Sequence, residues 1–332
     1  MEGTKIKSEN FSPCLSSTSK KIRVIWGITN KCNLKCKHCA VESKESSALQ
    51  GIEKYFKALE SMEEAGVDTV YLSGGEPLLF DYLYDLIDYG KRLGLEITMG
   101  TNGTLLNERS AKKLKNANID RVFVSLDHWR KEKHDWLRGN GTFEKTINGI
   151  KLLKKYEVYT RIDSIVWKEN YKELEKLVDF CEKLKADEII FAWPVKVGNA
   201  LKNYDYIFPP EEEYLKIGEK LEALRKSKSI KVSYHRFRYF DESAKDCPGG
   251  RKIFYINGEG RISPCFWLST MLDLFTERNI FEEEFSSLLE DYNIQEFRKI
   301  EERRYEKFGP GCPAVCKIYN KTIYSKDPLL LK

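Results

Sequence analysis

The sequence has no apolar run that approaches the roughly 20 residues needed to cross a bilayer. Its first residues, MEGTKIKSENFSPCLSS, lack the apolar segment of a secretory signal peptide. Neither sign of charge is in large excess: 56 Lys and Arg against 51 Asp and Glu give a formal charge of +5. This surplus is too small to indicate a nucleic-acid partner. We therefore expect a cytoplasmic protein with no membrane and no nucleic acid among its partners.

Histidine is rare, with four residues, and the chain has no internal repeat or low-complexity segment. Its 332 residues, 41% hydrophobic and 32% charged, are typical of a globular protein and far from the composition of a disordered one. At roughly 150 residues per domain, this length suggests one large domain, or one large and one small domain.

Cysteine is the residue whose distribution is most informative. Nine cysteines in a chain without an export signal favour metal or redox chemistry over disulfides. They divide into an N-terminal thiol set (Cys32, Cys36 and Cys39), a C-terminal thiol set (Cys247, Cys265, Cys312 and Cys316) and the isolated Cys14 and Cys181. We interpret Cys181, within LVDFCEKL, as a small buried apolar residue and assign Cys14 no role.

Strand-like and helix-like segments alternate from about residue 22 to 235. Six short segments are rich in β-branched and aromatic residues and predict buried parallel strands: 21–29, 68–74, 95–101, 120–127, 159–167 and 187–193. Between them, apolar residues recur at helical spacing, as in 55–66 and 171–184. This alternation predicts an α/β fold whose parallel sheet curls into a barrel or part of one, with ligands bound at the carboxyl ends of the strands.

The pattern changes after about residue 236. Residues 251–265 predict a β-hairpin with its turn at 257–260, and helical segments follow near 281–305. We therefore divide the chain into a flexible tail (1–21), a core barrel (22–235) and a small α+β domain (236–332).

The N-terminal thiol set directly follows the first predicted strand. Thiolates ligate iron–sulfur clusters, which usually take four, so three from one loop would leave one iron open to another ligand. A zinc site with His38 or a distant residue as fourth ligand is the alternative that the spacing leaves open.

Motifs at successive strand ends then resemble one family. The CxxxCxxC spacing of the N-terminal thiol set is followed by Gly74-Gly75-Glu76-Pro77 after the second strand and by Thr101-Asn102-Gly103 after the third. The fourth strand ends in VSLD (124–127), with Arg138 beyond it. This order resembles the radical S-adenosylmethionine (radical SAM) superfamily. The resemblance implies a partial (β/α)6 TIM-like barrel in which Cys32, Cys36 and Cys39 hold a SAM-binding [4Fe-4S] cluster.

The resemblance also implies contacts with SAM. The backbone at Gly74 and Gly75 would approach the ligand, and Glu76 would accept hydrogen bonds from the methionyl ammonium. Ser125 and Arg138 match positions that hold the SAM carboxylate, and Asp127 is a candidate for the ribose hydroxyls. His38 occupies the position of an aromatic residue near the adenine, and Pro77 and Asn102 complete the cofactor-binding set.

Each of these motifs also has a plainer interpretation when it is taken alone. The two glycine motifs are more often ordinary turns, and Ser125 and Asp127 could be helix caps. Ordinary turns do not explain why all of these motifs occur together at successive strand ends.

The C-terminal thiol set resembles the SPASM/twitch extension of some radical SAM enzymes: twelve residues separate Cys247 from Gly260, and four residues separate Gly260 from Cys265. Cys312 and Cys316 complete four thiolates, enough for one auxiliary [4Fe-4S] cluster, so the short twitch form fits best. A zinc clamp with the same four thiolates is the alternative.

We therefore expect a radical SAM oxidoreductase that cleaves SAM reductively to a 5′-deoxyadenosyl radical and abstracts a substrate hydrogen. The first choice of substrate is a peptide or protein, and a small polar metabolite is the second. A non-enzymatic zinc-binding protein is a remote alternative. A flavodoxin or ferredoxin is the expected electron donor. No catalytic acid or base is assigned: Arg161 and Asp163 either face the barrel lumen or form a structural ion pair.

Overall fold

The computed structural model describes residues 21–41, 49–234, 247–309 and 311–326, so Cys14 and nearly all of the predicted tail lie outside the described residues. Nine strands form one sheet in the order β7-β6-β5-β4-β3-β2-β1-β8-β9. They are β1 Ile22–Thr29, β2 Val67–Gly74, β3 Glu96–Thr101, β4 Arg121–Ser125, β5 Thr160–Ile165, β6 Glu188–Ala192, β7 Lys231–Tyr234, β8 Ile253–Ile256 and β9 Ile262–Ser263.

Helices connect the parallel strands. The α-helices of the described residues are α1 Ile52–Glu64, α2 Leu83–Arg92, α3 Glu108–Asn116, α4 Lys131–Arg138, α5 Thr142–Lys155, α6 Leu174–Lys183, α7 Gly198–Lys202, α8 Tyr204–Ile207, α9 Tyr214–Ser227, α10 Phe266–Leu272, α11 Phe285–Leu288, α12 Tyr292–Phe308 and α13 Pro313–Asn320. None of these described helices is long and apolar enough to cross a bilayer.

Amphipathic patterning attaches the helices to the sheet. In α1, the buried Tyr55, Ala58, Leu59 and Met62 recur at three- and four-residue spacing, so one face of the helix is apolar. That face packs into the main core, which also contains Trp26 of β1. Helices outside and strands inside place the core between the two layers, as expected for crossover connections of a parallel sheet.

The six predicted strands are confirmed, each within two residues of its predicted ends. The sequence analysis missed β7, a four-residue strand, KVSY, that pairs in parallel with β6. Its short length and its exposed Lys231 give little strand signal, and pairing with β6 supplies what its own sequence does not.

The inner face of the sheet encloses a cavity of about 50 Å³. Its lining comes from β1, β2, β3, β4, β5 and β8, so these strands curve around a common lumen, as in a partial barrel. Arg161 borders this cavity and also binds Asp163, with Nε–Oδ1 and Nη2–Oδ2 distances of 2.6 and 2.9 Å. The structure thus combines features of both interpretations: Arg161 lines the lumen, and Arg161 and Asp163 form an ion pair.

The predicted hairpin is confirmed as β8 and β9, which pair antiparallel around residues 257–260. Unexpectedly, β8 also pairs in parallel with β1, in the register Arg23–Ile253 to Trp26–Ile256. The segment that follows shares the main core through Phe285. The C-terminal part of the chain therefore continues the barrel sheet on the open side of β1.

Candidate active site

The loops after β1, β2, β3 and β4 meet at one edge of the sheet, because the carboxyl ends of parallel strands lie together. The N-terminal thiol set lies in the loop after β1. Burial, the largest influence, raises the pKa of Cys36 to about 11, and the neighbouring thiols of Cys39 and Cys32 raise it further. The guanidinium of Arg138 acts in the opposite direction and favours the thiolate of Cys36.

Amide side chains hold this thiol loop in place. Asn33 lies between Cys32 and Cys36, and its Oδ1 accepts a hydrogen bond from Asn102 Nδ2 at 2.9 Å. From the region after β6, Asn199 Nδ2 donates to the Cys36 carbonyl at 3.2 Å and Asn203 Nδ2 to the Lys37 carbonyl at 3.0 Å. The sequence analysis missed Asn33, Asn199 and Asn203, because an isolated asparagine carries no signal of a partner more than 60 residues away.

The glycines of the second motif fit against the thiol loop through their backbone. Gly75 N donates to Thr29 O and Glu76 N donates to Lys31 O, both at 2.7 Å. A Cβ atom on Gly74 would lie 2.2 Å from Thr29 O, and one on Gly75 would lie 2.1 Å from Lys31 O. Gly74 also has φ +127°, a conformation that glycine favours. These positions therefore require glycine because the backbone passes directly against the loop.

Glu76 is fully buried and joins two loops. Its carboxylate accepts hydrogen bonds from Thr101 Oγ1 at 2.7 Å, Asn102 N at 2.8 Å and Leu78 N at 3.2 Å. Burial nevertheless raises the pKa of Glu76 above its ordinary value. The protein itself thus supplies three donors to Glu76, and Pro77 continues from it into a short 3₁₀ turn, Pro77–Leu79.

Asp127 and Arg138 form a buried ion pair at the end of β4. Asp127 Oδ1 also accepts a hydrogen bond from Ile165 N at 2.9 Å. Burial, the largest influence, opposes ionisation of Asp127, but the charge and hydrogen bond of Arg138, together with His38 and His134, outweigh it and lower the pKa of the carboxyl. Ser125, the last residue of β4, lies opposite Asp163 of β5. Neither Ser125 nor Asp127 caps the following helix, so that alternative is wrong: α4 begins after Arg130.

His38 lies between two cysteines of the thiol loop. Burial is the main cause that lowers its pKa to about 4, so the imidazole is neutral at pH 7. Its Nδ1 is buried and has no hydrogen-bond partner among the residues that the structure describes. A buried nitrogen of this kind indicates that a polar group of a ligand belongs beside it.

The C-terminal thiol set is assembled from three separate segments. Cys247, Cys265 and Cys312 share a small apolar cluster that includes Leu268 and Phe297. Cys316 is buried one helical turn after Cys312 on α13, with its amide donating to the Cys312 carbonyl at 2.9 Å.

Both thiol sets fit iron–sulfur ligation by their chemistry. None of the eight cysteines in the described ranges forms a disulfide, so their sulfurs are not committed to one another. No group of three or more His, Cys, Asp or Glu side chains in the described part of the chain already converges as around a metal ion. The fit therefore rests on the donor type, the proximity of the thiols and the unsatisfied His38 Nδ1.

Comparisons with known proteins agree with this chemistry. The model of the Radical SAM superfamily matches residues 26–181. An AdoMet-dependent heme synthase of Methanosarcina barkeri is 28% identical, covering 90% of this chain and 93% of that protein. The subtilosin biosynthesis protein AlbA of Bacillus subtilis is 27% identical, over 88% of this chain and 64% of AlbA.

A solved structure shows the same fold. The crystal structure of Streptococcus suis SuiB bound to S-adenosylmethionine superposes with a TM-score of 0.77 at 18% identity, covering 94% of this chain and 77% of SuiB. The match to an enzyme superfamily favours an enzyme over a non-enzymatic zinc-binding protein. Family model, fold and motif order agree along the same stretch of sequence: residues 26–181 form a domain of the radical SAM superfamily.

Proposed function

We propose that this protein cleaves SAM at the thiol loop and uses the resulting 5′-deoxyadenosyl radical to oxidise a substrate bound at the carboxyl ends of the strands. The observation that carries the proposal is the meeting of the N-terminal thiol set, the Gly74–Gly75 backbone and the Asp127–Arg138 pair at one edge of the sheet. The bound cluster supplies one electron for reductive cleavage when SAM is its ligand.

In this proposal, Cys32, Cys36 and Cys39 hold the [4Fe-4S] cluster at the end of β1. The Gly74–Gly75 backbone would lie close to the methionyl end of SAM. Glu76 would then act mainly as a positioning residue. Its carboxylate already accepts three hydrogen bonds, which hold the loop after β2 against the loop after β3.

Two further contacts are proposed at the end of β4. Arg138 binds Asp127 through Nε, so its two terminal nitrogens are not used in that bond and can pair with the SAM carboxylate beside Ser125. Asp127 is fully buried and bound to Arg138 and Ile165 N, so we propose that it orients this guanidinium and does not itself contact the ribose hydroxyls. His38 Nδ1 is available to the adenine side of the ligand.

The C-terminal thiol set is proposed to hold one auxiliary [4Fe-4S] cluster. Its apolar setting, among Leu268 and Phe297, suits a group that exchanges an electron and binds no substrate. We retain 22–235 and 236–332 as the proposed core and auxiliary domains, joined through the pairing of β8 with β1.

We propose a peptide or protein as the substrate class. SuiB, which shares this fold, has been solved with its precursor peptide SuiA. A tetrapyrrole is the second candidate, favoured because the M. barkeri heme synthase matches over 93% of its own length.

The direct test is anaerobic reconstitution followed by a SAM-cleavage assay with dithionite. We expect about eight iron atoms per chain, from two four-iron clusters, and formation of methionine and 5′-deoxyadenosine. The Cys181→Ala variant is a matched control, since Cys181 is buried in the core away from both thiol sets. Two zinc ions and no SAM cleavage would refute the proposal.

The two substrate classes are distinguished by which candidate substrate is converted while SAM is cleaved. Candidate peptides encoded next to the gene and an iron coproporphyrin are offered separately to the reconstituted enzyme. A mass change in the peptide supports the first class, and conversion of the porphyrin alone replaces it with the second.

A further inference from the structure

Helix α12 is hydrogen-bonded to the segment that carries Cys247. Its Arg298 Nε donates to the Gly250 carbonyl at 2.6 Å, a short distance along the chain from that cysteine. In the same segment, a Cβ atom on Gly249 would lie 3.4 Å from Cys247 Sγ and 3.6 Å from Cys265 Cβ, so two of the thiol-bearing segments meet here. The helix therefore holds the place where Cys247 and Cys265 come together.

The same helix also holds the loop that leads into Cys312. Arg304 Nη2 donates to the Gly311 carbonyl at 3.0 Å, and Nη1 donates to the Gly309 carbonyl at 3.4 Å. A planar guanidinium fixes two carbonyl groups in one relative orientation, which the single nitrogen of a lysine does not do. Because Arg304 is fully buried, water does not compete for these bonds. Arg304 thus sets the course of the chain directly before Cys312, the N-cap of α13.

A buried carboxylate connects these two loops. Glu301, also on α12 and 3% exposed, accepts hydrogen bonds from Arg304 Nη2 and from Arg251 Nη1, both at 3.2 Å. Arg251 belongs to the segment of Cys247, so the two bonds link that segment with the loop of Cys312. Buried ionic groups are costly to desolvate and add little net stability, which favours a role in fixing geometry.

One donor of Arg304 has no acceptor. Its Nε is buried and has no hydrogen-bond partner in the part of the chain that the structure describes, although both terminal nitrogens are used. Buried donors are nearly always satisfied, so we expect a group that binds beside the loop of Cys312 to accept this hydrogen bond. Cysteine thiolates and the sulfides of an iron–sulfur cluster are such acceptors. Hydrogen bonds to these sulfurs stabilise the more negative, reduced cluster and so raise its reduction potential.

We propose that Arg304 positions Cys312 for an auxiliary iron–sulfur cluster and donates through Nε to a sulfur of that cluster. The inference rests on the proposed function, because it requires the C-terminal thiol set to hold such a cluster. Arg304 then has two effects: the bonds from Nη1 and Nη2 keep the loop in place, and the bond from Nε makes the cluster easier to reduce. The competing outcome is that Arg304 only stabilises the fold.

The test isolates the auxiliary cluster and replaces Arg304 in two ways. All variants are made in the full chain that carries Cys36→Ala, the parent, so that the redox signal comes from the C-terminal thiol set. Arg304→Lys keeps the charge and loses the guanidinium, whereas Arg304→Met loses both. Arg303→Lys, at the exposed neighbouring position on α12, is the matched control. Circular dichroism and thermal unfolding establish that each chain is folded.

The parent and the control should hold about four iron atoms per chain and share one midpoint potential in a redox titration followed by electron paramagnetic resonance. Arg304→Lys should shift that potential to a more negative value, because the donor to sulfur is lost while the charge remains. Arg304→Met should in addition hold iron about tenfold less tightly against a chelator, because the loop before Cys312 is no longer fixed. A residue that only stabilises the fold would not move the potential of a folded chain.

The outcomes separate this inference from the proposed function. If folded Arg304→Lys has the potential and the iron retention of the parent, Arg304 has no role toward the cluster, while the auxiliary cluster itself stands. A folded Arg304→Met with the iron retention of the parent would overturn the positioning of Cys312. Should Arg304→Met fail to fold, the potential of Arg304→Lys decides the question. Zinc in place of iron at the C-terminal thiols of the parent would refute the proposed auxiliary cluster.

Discussion

The two thiol sets differ in how the chain assembles them and in what surrounds them. The N-terminal set comes from eight consecutive residues and lies among charged groups, with Arg138 acting on the Cys36 thiol and the buried Glu76 acting on Cys32. The C-terminal set comes from three segments that span about 70 residues and meets in an apolar cluster. A polar, ligand-facing setting suits chemistry on a bound molecule, and an apolar setting suits storage of an electron.

The difference has a structural cause. Three thiols on one short loop leave room beside them, and the loops of β2, β3 and β4 fill that side with polar groups. The C-terminal thiols lie beside α10, α12 and α13, which contribute Leu268, Phe297 and Ala314 to the apolar cluster. Variants that remove one thiol from each set therefore test whether the two sets have separate roles.

The largest effect is expected from Cys36→Ala. This change removes a proposed ligand of the cluster at which SAM would bind, so dithionite-driven formation of 5′-deoxyadenosine should be abolished. Cys181→Ala, in the buried core, should keep wild-type cleavage. Full cleavage by Cys36→Ala would place the SAM chemistry elsewhere.

Cys316→Ala should separate the two sets. With three thiolates left, the auxiliary cluster should be lost, and the iron content should fall from about eight toward about four atoms per chain. SAM cleavage with dithionite should continue, whereas oxidised product should no longer form. Loss of both activities together, in a folded protein, would contradict the division of roles.

Gly75→Ala should weaken SAM binding although it removes no thiol from either set. The added Cβ would lie 2.1 Å from Lys31 O, so the loop must shift at a cost of about 1–3 kcal/mol. We expect SAM affinity to drop about tenfold, as measured by equilibrium dialysis. Gly51→Ala is the control, because a Cβ there meets nothing closer than 3.4 Å.

The smallest effect concerns a carboxylate outside both sets. Hydrogen bonding from Arg225, and from Tyr234 and Lys226, lowers the pKa of Glu222 to about 2, from an ordinary value of 4.5. As the pH falls, the unfolded chain binds this proton first, so the stabilisation is complete above about pH 4.5 and is lost as the pH falls to about 2.

Glu222→Gln should therefore lower the free energy of unfolding at pH 7 by about 0.5–1 kcal/mol, since the ion pair is partly exposed. Chemical denaturation at pH 7 and at pH 3 measures the difference, which should shrink at the lower pH. A difference that grows on acidification would contradict the assignment of the low pKa to Glu222.

Much of the architecture was predictable because its signals are local. Six strands were located from runs of β-branched and aromatic residues, because such runs are themselves the strand signal. The short β7 and the pairing of β8 with β1 were not predictable, because partner strands decide them and the sequence of each segment does not.

The sequence by itself determined the thiol loop, the glycine motif and their order along the strands, because spacing of a few residues fixes which side chains share a loop. Tertiary structure alone decided that Glu76 is enclosed by Thr101 and Asn102, that Asp127 is committed to Arg138, and that Asn199 and Asn203 hold the thiol loop from 160 residues away. Those contacts depend on which strand ends become neighbours, and only the folded sheet brings these strand ends together.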